Sequence, residues 1–356
     1  MALEVWTVGL SHVSVAPRAA ARAEANGFDG MVVVDSQNLA GDPFVGLALA
    51  GRETSTLHLG TGVTNPATRH PAAAAAAIAS VHVASGGRAH LGVGRGDSAL
   101  AHLGMAPSSV AELERFVCVT RSYLRGDPVS FADLRVYERD GARPVDVLGL
   151  AGAPQDSRLH WLPRELPPVP VEVVATGPKA LAVAGAHADR VLLAVGADPD
   201  RVAWALGEAR SAGAQRVGAF VNVVAHPDKE VARRLGAGGL ATFARFSAMD
   251  GTVRSPIDAP SEQVLHDVHD RYDMNQHTRA GSPQAARLTQ EFADRFGIMG
   301  PADHCVDRLR RLAALGVDRF IVVGPSIDAE QDEARLAQKM FVGEVLPAIR
   351  EVTDAP

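Results

Sequence analysis

Short, continuously apolar runs alternate along this chain with longer stretches in which alanine, leucine and valine recur at helical spacing among charged residues. The apolar runs are rich in β-branched residues and end in Gly, Asp, Ser or Pro, which predicts strands. They fall at Glu4–Gly9, Gly30–Asp35, Leu57–Val63, Ala89–Gly94, Val171–Thr176, Arg190–Ala194, Val217–Val224 and Arg319–Val323. Between them the helical spacing predicts helices over Ala16–Asn26, Pro43–Arg52, Pro71–Ala84, Ser109–Arg125, Pro178–His187, Pro199–Ala212, Pro301–Leu315 and Glu330–Val352. Several open with proline at the first turn, where its missing N–H leaves nothing unpaired. Runs that are apolar at every position, such as Met31–Val34 and Phe320–Val323, suit a parallel sheet buried on both faces. Eight βα units are the closing number of a barrel, and no G-x-G-x-x-G turn follows the first strand, as a dinucleotide-binding sheet would want. The expected fold class is α/β, a (β/α)8 TIM barrel forming one domain over residues 1–356.

Two stretches break the rhythm. Residues 126–170 are rich in proline, glycine and charge, and the pattern at Val129–Val136 and Pro144–Leu150 suggests a small hairpin before strand five. Residues 226–300 carry polar helices at Glu230–Ala248, Ser261–Tyr272 and Pro283–Phe296, an insertion between strands seven and eight on the face where barrel active sites assemble. It reads as a lid or substrate wall, with an oligomer contact as the plainer alternative. Met249, Tyr272, Met274 and His277 are its candidate pocket-lining residues.

The bulk numbers narrow the class without naming it. An apolar share of 47% supports a large core, and a formal charge of −6 leaves no basic footprint for nucleic acid. The longest apolar run, Ala72–Ala79, is far too short to span a membrane, and the opening residues read as a strand and not a leader, so a cytoplasmic location is expected. The two cysteines, Cys118 and Cys305, have no ligand spacing, and the 13 histidines form no H-x-H or H-E-x-x-H, so no metal site is expected. Without a G-x-S-x-G elbow, nucleophilic hydrolysis has no support either.

Polar residues collect where strands end. Asp35 and Ser36 follow strand two, where a carboxylate serves acid–base chemistry or ligand anchoring, or simply caps a turn. Gly62 and Val63, followed by Thr64 and Asn65, suggest a bulge that brings backbone close to a flat ring. His70, directly before Pro71, reads as structural. Gly94, Arg95, Gly96 and Asp97 follow strand four; the glycines expose amides, Arg95 suits a phosphate or carbonyl, and Asp97 projects toward Asp35. Thr176, Gly177, Pro178 and Lys179 open a helix after strand five, a phosphate cradle or an ordinary capped N-terminus.

In this order, these segments resemble the luciferase-like monooxygenase superfamily, most of all its coenzyme F420-using branch typified by methylenetetrahydromethanopterin reductase. The matching pieces are Asp35-Ser36, Thr61 through Pro66 with Arg69-His70-Pro71, Ser85 through Arg88 leading into Leu91–Asp97, and Ala175 through Leu181. The resemblance covers most of residues 1–225 and returns at 300–350, leaving 226–300 uncovered. It implies a flavin-type ring at the C-terminal mouth, backed by a non-prolyl cis peptide at Gly62–Val63, with Asp35 and Asp97 handling protons and Gly177 and its neighbours on the phosphate. Ser36 stands where related dehydrogenases often carry histidine, which leaves His12, after strand one, as the substitute candidate. Arg95 resembles the FMN-using members instead. F420 is the expected cofactor and FMN the alternative, the latter implying a monooxygenase fed by a separate flavin reductase. A barrel that only binds flavin as a subunit is a third reading. A small-molecule substrate and a homodimer complete the expectations.

Overall fold

A computed structural model describes residues 3–138 and 140–351. The strands are β1 (Glu4–Gly9), β2 (Gly30–Val33), β3 (His58–Thr61), β4 (Ala89–Val93), β5 (Val171–Ala175), β6 (Arg190–Leu193), β7 (Val217–Ala225), a short β8 (Ile298–Gly300) and β9 (Arg319–Val323). All pairings are parallel. The ring runs β1 to β7 in order, then β9, which closes on β1. This is the expected (β/α)8 barrel, and the strands predicted from sequence agree with it to within a residue or two at each end.

The exceptions have local causes. β8 was not foreseen. β7 is nine residues long, and β9 pairs only with Gly218–Asn222, so the remaining Val223–Ala225 takes β8 as its partner. The hairpin expected at Val129–Val136 and Pro144–Leu150 does not form. Val129 makes a single antiparallel bridge to Ser157, and the residues between fold into short turns at Phe131–Leu134, Arg135–Tyr137 and Val145–Leu148. Ser130 caps the first of these, accepting from the Asp133 N–H, a local bond that competes with strand pairing. The helix expected over Pro283–Phe296 is likewise broken: a 3-10 turn at Ala285–Arg287 precedes a helix over Gln290–Phe296 capped by Thr289.

Inside the barrel, alternate strand residues stack in layers. The floor, at the N-terminal ends of the strands, holds Glu4, His58, His90, Glu172, Arg190 and Arg319 around Trp6. Arg319 donates to Glu4 (2.8 Å) and Glu172 (2.6 Å), His90 contacts Glu172 (3.0 Å), and Arg190 binds Glu4 (3.1 Å) and Asp318. The Arg319 guanidinium also lies 3.9 Å from the Trp6 ring centroid. Above it Trp6, Val32, Leu192, Phe220 and Ile321 form an apolar layer. Residues that point outward, among them Leu59, Leu91, Val173 and Phe320, pack against the surrounding helices in the main core.

The 226–300 region has its own apolar cluster, including Leu235, Leu240, Val264, Phe292 and Phe296. Its first helix, Lys229–Ser247, crosses the C-terminal end of the barrel at backbone distance. A Cβ on Gly239 would stand 2.8 Å from the Asn222 side chain of β7 and 3.3 Å from Val323 of β9.

Candidate functional site

The C-terminal mouth is shaped by a bulge on the β3 line. Gly60 pairs with His90 and Thr64 with Val93, so this line holds one residue more than β4 over the same stretch. The Gly62–Val63 peptide within it is cis, at the position expected. Thr61 repairs the ladder: its hydroxyl donates to the Gly92 carbonyl (2.7 Å) and accepts from the Gly92 N–H (3.0 Å). Gly92 is obligatory here, because a Cβ would lie 2.1 Å from the Thr61 carbonyl oxygen.

Asp35, buried at the end of β2, accepts from Arg69 Nη1 at 2.6 Å. Burial raises its carboxyl above the usual range, although Arg69 works against that shift. Arg69 also binds Asp42 (2.9 Å), the cap of the Pro43–Glu53 helix, and lies over Phe44, so it clamps the loops after β2 and β3 together. The loops after β2 and β4 are joined in turn by Ser36 to Ser98 (2.9 Å), Gln37 to the Ala99 carbonyl (2.8 Å) and Asn38 to the His102 carbonyl (3.1 Å). Beyond β4, Asp97 is paired with Arg245 of the Lys229–Ser247 helix, and the Arg245 guanidinium lies 4.7 Å from the Tyr272 ring centroid. Burial pushes the Tyr272 hydroxyl up to about 12 and lowers the His277 imidazole.

Buried polar atoms around this mouth that lack a well-formed hydrogen bond among the described residues include Asp35 Oδ1 and Thr64 Oγ1, which face each other, and Asn65 Nδ2, Asp97 Oδ2 and Asn222 Nδ2. Buried groups of this kind are costly to leave unpaired, and donors and acceptors together at one barrel mouth match a flat polar ligand. Their neighbours Thr64 and Gly94 are buried, and Gly96 takes a positive φ of 80° in the loop after β4.

Other expected residues lie apart from this group. Arg95 is tied to its own loop, its Nε donating to the Ser108 carbonyl at 2.5 Å. After β5 the helix cap is Gly177, not Thr176, and no side chain caps it; Pro178 opens the helix and Lys179 is exposed. His12, in the loop after β1, is exposed and bonded to Ser14 (2.8 Å). His70 caps the Pro71–Ala84 helix, accepting from the Ala72 N–H. Beside the β3 loop a cavity of about 300 Å³ is lined by Arg69, His70, Ser108, Arg115 and Tyr137.

Sequence reasoning passed over Arg69, Arg245 and Asn222 as site residues. Asn222 had a signal, being the lone polar residue in the nine-residue run of β7. Arg245 had none, since its partner Asp97 is 148 residues away.

The model of the family described as luciferase-like monooxygenase matches residues 6–319. The 5,10-methylenetetrahydromethanopterin reductase of Methanolobus tindarius is 28% identical over 332 residues, covering 90% of this chain and 93% of that protein. Among solved structures, the coenzyme F420 dependent tetrahydromethanopterin reductase from Methanopyrus kandleri superposes with a TM-score of 0.69 at 23% identity, covering 98% of this chain and 100% of the other. The EDTA monooxygenase from Chelativorans sp. BNC1 gives 0.63 at 15% identity, covering 100% and 95%. These two structural likenesses speak to the fold; the family match spans most of the sequence. No helix among the described residues is long and apolar enough to cross a membrane. The chain belongs to the luciferase-like monooxygenase family.

Proposed function

We propose that this protein is a coenzyme F420-dependent oxidoreductase that passes a hydride between the deazaflavin and a small organic substrate. The carrying observation is the set of unpartnered buried atoms on Asn65, Asp97 and Asn222, beside the Asp35–Thr64 pair, which offers a flat, polar-edged ring both donors and acceptors. The methylenetetrahydromethanopterin reductase at 28% identity and an F420-dependent glucose-6-phosphate dehydrogenase at 26%, each matched over nearly its whole length, point the same way. When bound, the deazaflavin supplies hydride donation and acceptance without oxygen activation.

The remaining work falls to this chain's own residues. The Gly62–Val63 bulge supports the face of the ring, and Ser36, Thr64, Asn65, Gly94 and Gly96 line its polar edge. Thr176, Gly177, Pro178 and Lys179 take the phosphate at the uncapped start of the Pro178–His187 helix. Asp35 holds a proton more readily than an exposed carboxyl because burial favours its neutral form. The Lys229–Ser247 helix, latched by Arg245 to Asp97, acts as a lid that excludes water from the transfer. The working unit is one barrel domain in a homodimer.

Arg95 and the monooxygenase likeness favour a second reading, FMN-dependent oxygenation served by a separate reductase. Titration of the purified protein with F420 and with FMN, followed by cofactor fluorescence, separates the two. Micromolar F420 binding with weak FMN binding is expected; the reverse order would overturn the hydride-transfer reading. Tight binding without turnover on either cofactor would favour the subunit role.

A further inference from the structure

On the N-terminal side of the barrel, away from the mouth, lies a second cavity of about 300 Å³. Arg121 and Arg125 of the Val110–Arg125 helix form one wall, and the Pro168–Pro170 strap that leads into β5 forms another. Asp189 and Arg190, where β6 begins, and Arg216, just ahead of β7, complete the rim. The buried floor residues His90 and Glu172 reach it from inside.

The acids around this groove are engaged and the arginines are not fully so. Asp189 accepts from Arg121 (3.0 Å) and from the Val171 N–H (2.9 Å). Glu172 is held by Arg319 and His90, Asp318 pairs with Arg190, and Glu4 takes Arg190, Arg319 and Arg216, the last at 2.8 Å. Counting the lining residues with these ion partners, five guanidinium groups meet four carboxylates among the described residues. The surplus shows as bonds not made. The Arg125 guanidinium makes no hydrogen bond among the described residues; Asp189, already bonded to Arg121, stands 3.7 Å from it. Arg121 Nε has no partner, and Arg216 Nε lies 3.6 Å from Asp318, too far for a hydrogen bond. Burial and then Arg319 push the Arg190 guanidinium down to about 10, with Glu172 and Glu4 working against them.

We propose that this groove is a binding site for a phosphate group, carried by inorganic phosphate or by a small phosphate monoester. The chain as a whole is acidic, with a formal charge of −6, so the surplus of guanidinium belongs to this groove and not to the surface at large. The underused N–H groups come from a helix end and from the residue ahead of β7, and so from separate directions. A tetrahedral anion that accepts on several sides suits them better than a planar carboxylate, which one guanidinium fork can satisfy. The cavity exceeds a phosphate ion and leaves room for a small organic portion against the Pro168–Pro170 strap. Seated between Arg125 and Arg216, the anion completes the ion cluster from outside and stabilises the barrel by mass action. The site lies at the opposite end from the mouth, so it stands independently of the F420 reading.

Calorimetric titration of the full chain with sodium phosphate, and separately with glycerol phosphate, in sodium chloride at fixed ionic strength tests this. Expected is a saturable site whose occupation raises the urea midpoint. Tighter binding of the monoester would mark a small phosphorylated metabolite as the occupant, and tighter binding of inorganic phosphate the free ion; either supports the proposal. Arg125→Gln removes a guanidinium that has no hydrogen bond to lose, so its midpoint without phosphate should match wild type. Its phosphate affinity should fall roughly 10-fold or more, with F420 binding unchanged. Lys179→Gln, at the helix start given to the cofactor phosphate, should leave the phosphate affinity of this site as it is. No saturable binding, equal affinity in wild type and Arg125→Gln, or a loss confined to Lys179→Gln would each overturn the proposal.

Discussion

The two ends of the barrel contain charged and polar residues in comparable numbers and treat them in opposite ways. At the floor, Glu4, Glu172, Asp318, Arg190 and Arg319 are all paired, with Glu172 and both arginines nearly inaccessible to solvent. At the mouth, Asp35 and Asp97 each have one oxygen bonded to an arginine; the other oxygen of Asp97 is unpartnered and that of Asp35 has only the Thr64 hydroxyl. Charge in a dry interior is stabilising only when its partners are complete, so the floor is organised for holding the barrel shut and the mouth for something still to be bound. The apolar layer of Val32, Leu192, Phe220 and Ile321 separates them.

The largest expected effect comes from breaking the floor. Glu172→Gln removes a buried carboxylate from Arg319 and Arg190, which keep Glu4 and Asp318, and should cost about 3 kcal/mol, read as a lower urea midpoint with little change in F420 affinity. The acid response follows from the same residue. Burial opposes ionisation of Glu172, but Arg319, His90 and Arg190 outweigh it and hold the carboxyl far below its usual range; Glu4 is lowered likewise. A depressed carboxylate stabilises the fold above its unfolded value near 4.5 and loses that contribution as pH falls below it. Wild type should therefore lose stability steeply below that pH, and the variant less so.

A smaller effect is expected at the bulge on the β3 line. Gly92→Ala forces the Thr61 carbonyl away from its present place and should cost about 1–3 kcal/mol. Here cofactor binding should fall together with stability, because the bulge both closes the ladder and presents the ring-facing surface. A variant that binds F420 as the wild type does would show that the ring lies elsewhere.

The smallest change in stability is expected at the mouth itself. Asp35→Asn removes a carboxyl that burial already disfavours in its charged form, so the unfolding free energy should change by under about 1 kcal/mol in either direction. Turnover should nonetheless fall by roughly 10²-fold or more if Asp35 carries a proton. A large loss of stability would place Asp35 with the floor residues instead.

Much of this was legible beforehand. The strands announced themselves through their apolar runs, and the helices through proline at Pro43, Pro71, Pro178 and Pro199, each now found in a first turn. The β3 bulge was readable from Gly62 and Val63, where glycine interrupts a strand before a polar loop. The floor could have been read and was not. Glu4, His58, Arg190 and Arg319 are first residues of their strands and His90 and Glu172 second ones, a pattern that looks like strands emerging into solvent. In a closed barrel those same positions face one another. The contacts within the 226–300 region were beyond sequence reasoning for a different reason: Tyr272 and His277 were visible as candidates, but the bond that orders them passes through Thr242 and Gly238 on another helix.

The filled floor also sets the traffic through the site. A barrel plugged by an ionic layer and an apolar layer has one opening, and the Lys229–Ser247 helix already covers part of it. Whatever sits deepest must enter first and leave last. A flat ring resting on the β3 bulge would then be loaded before the substrate and retained while product departs, giving ordered exchange at a single doorway.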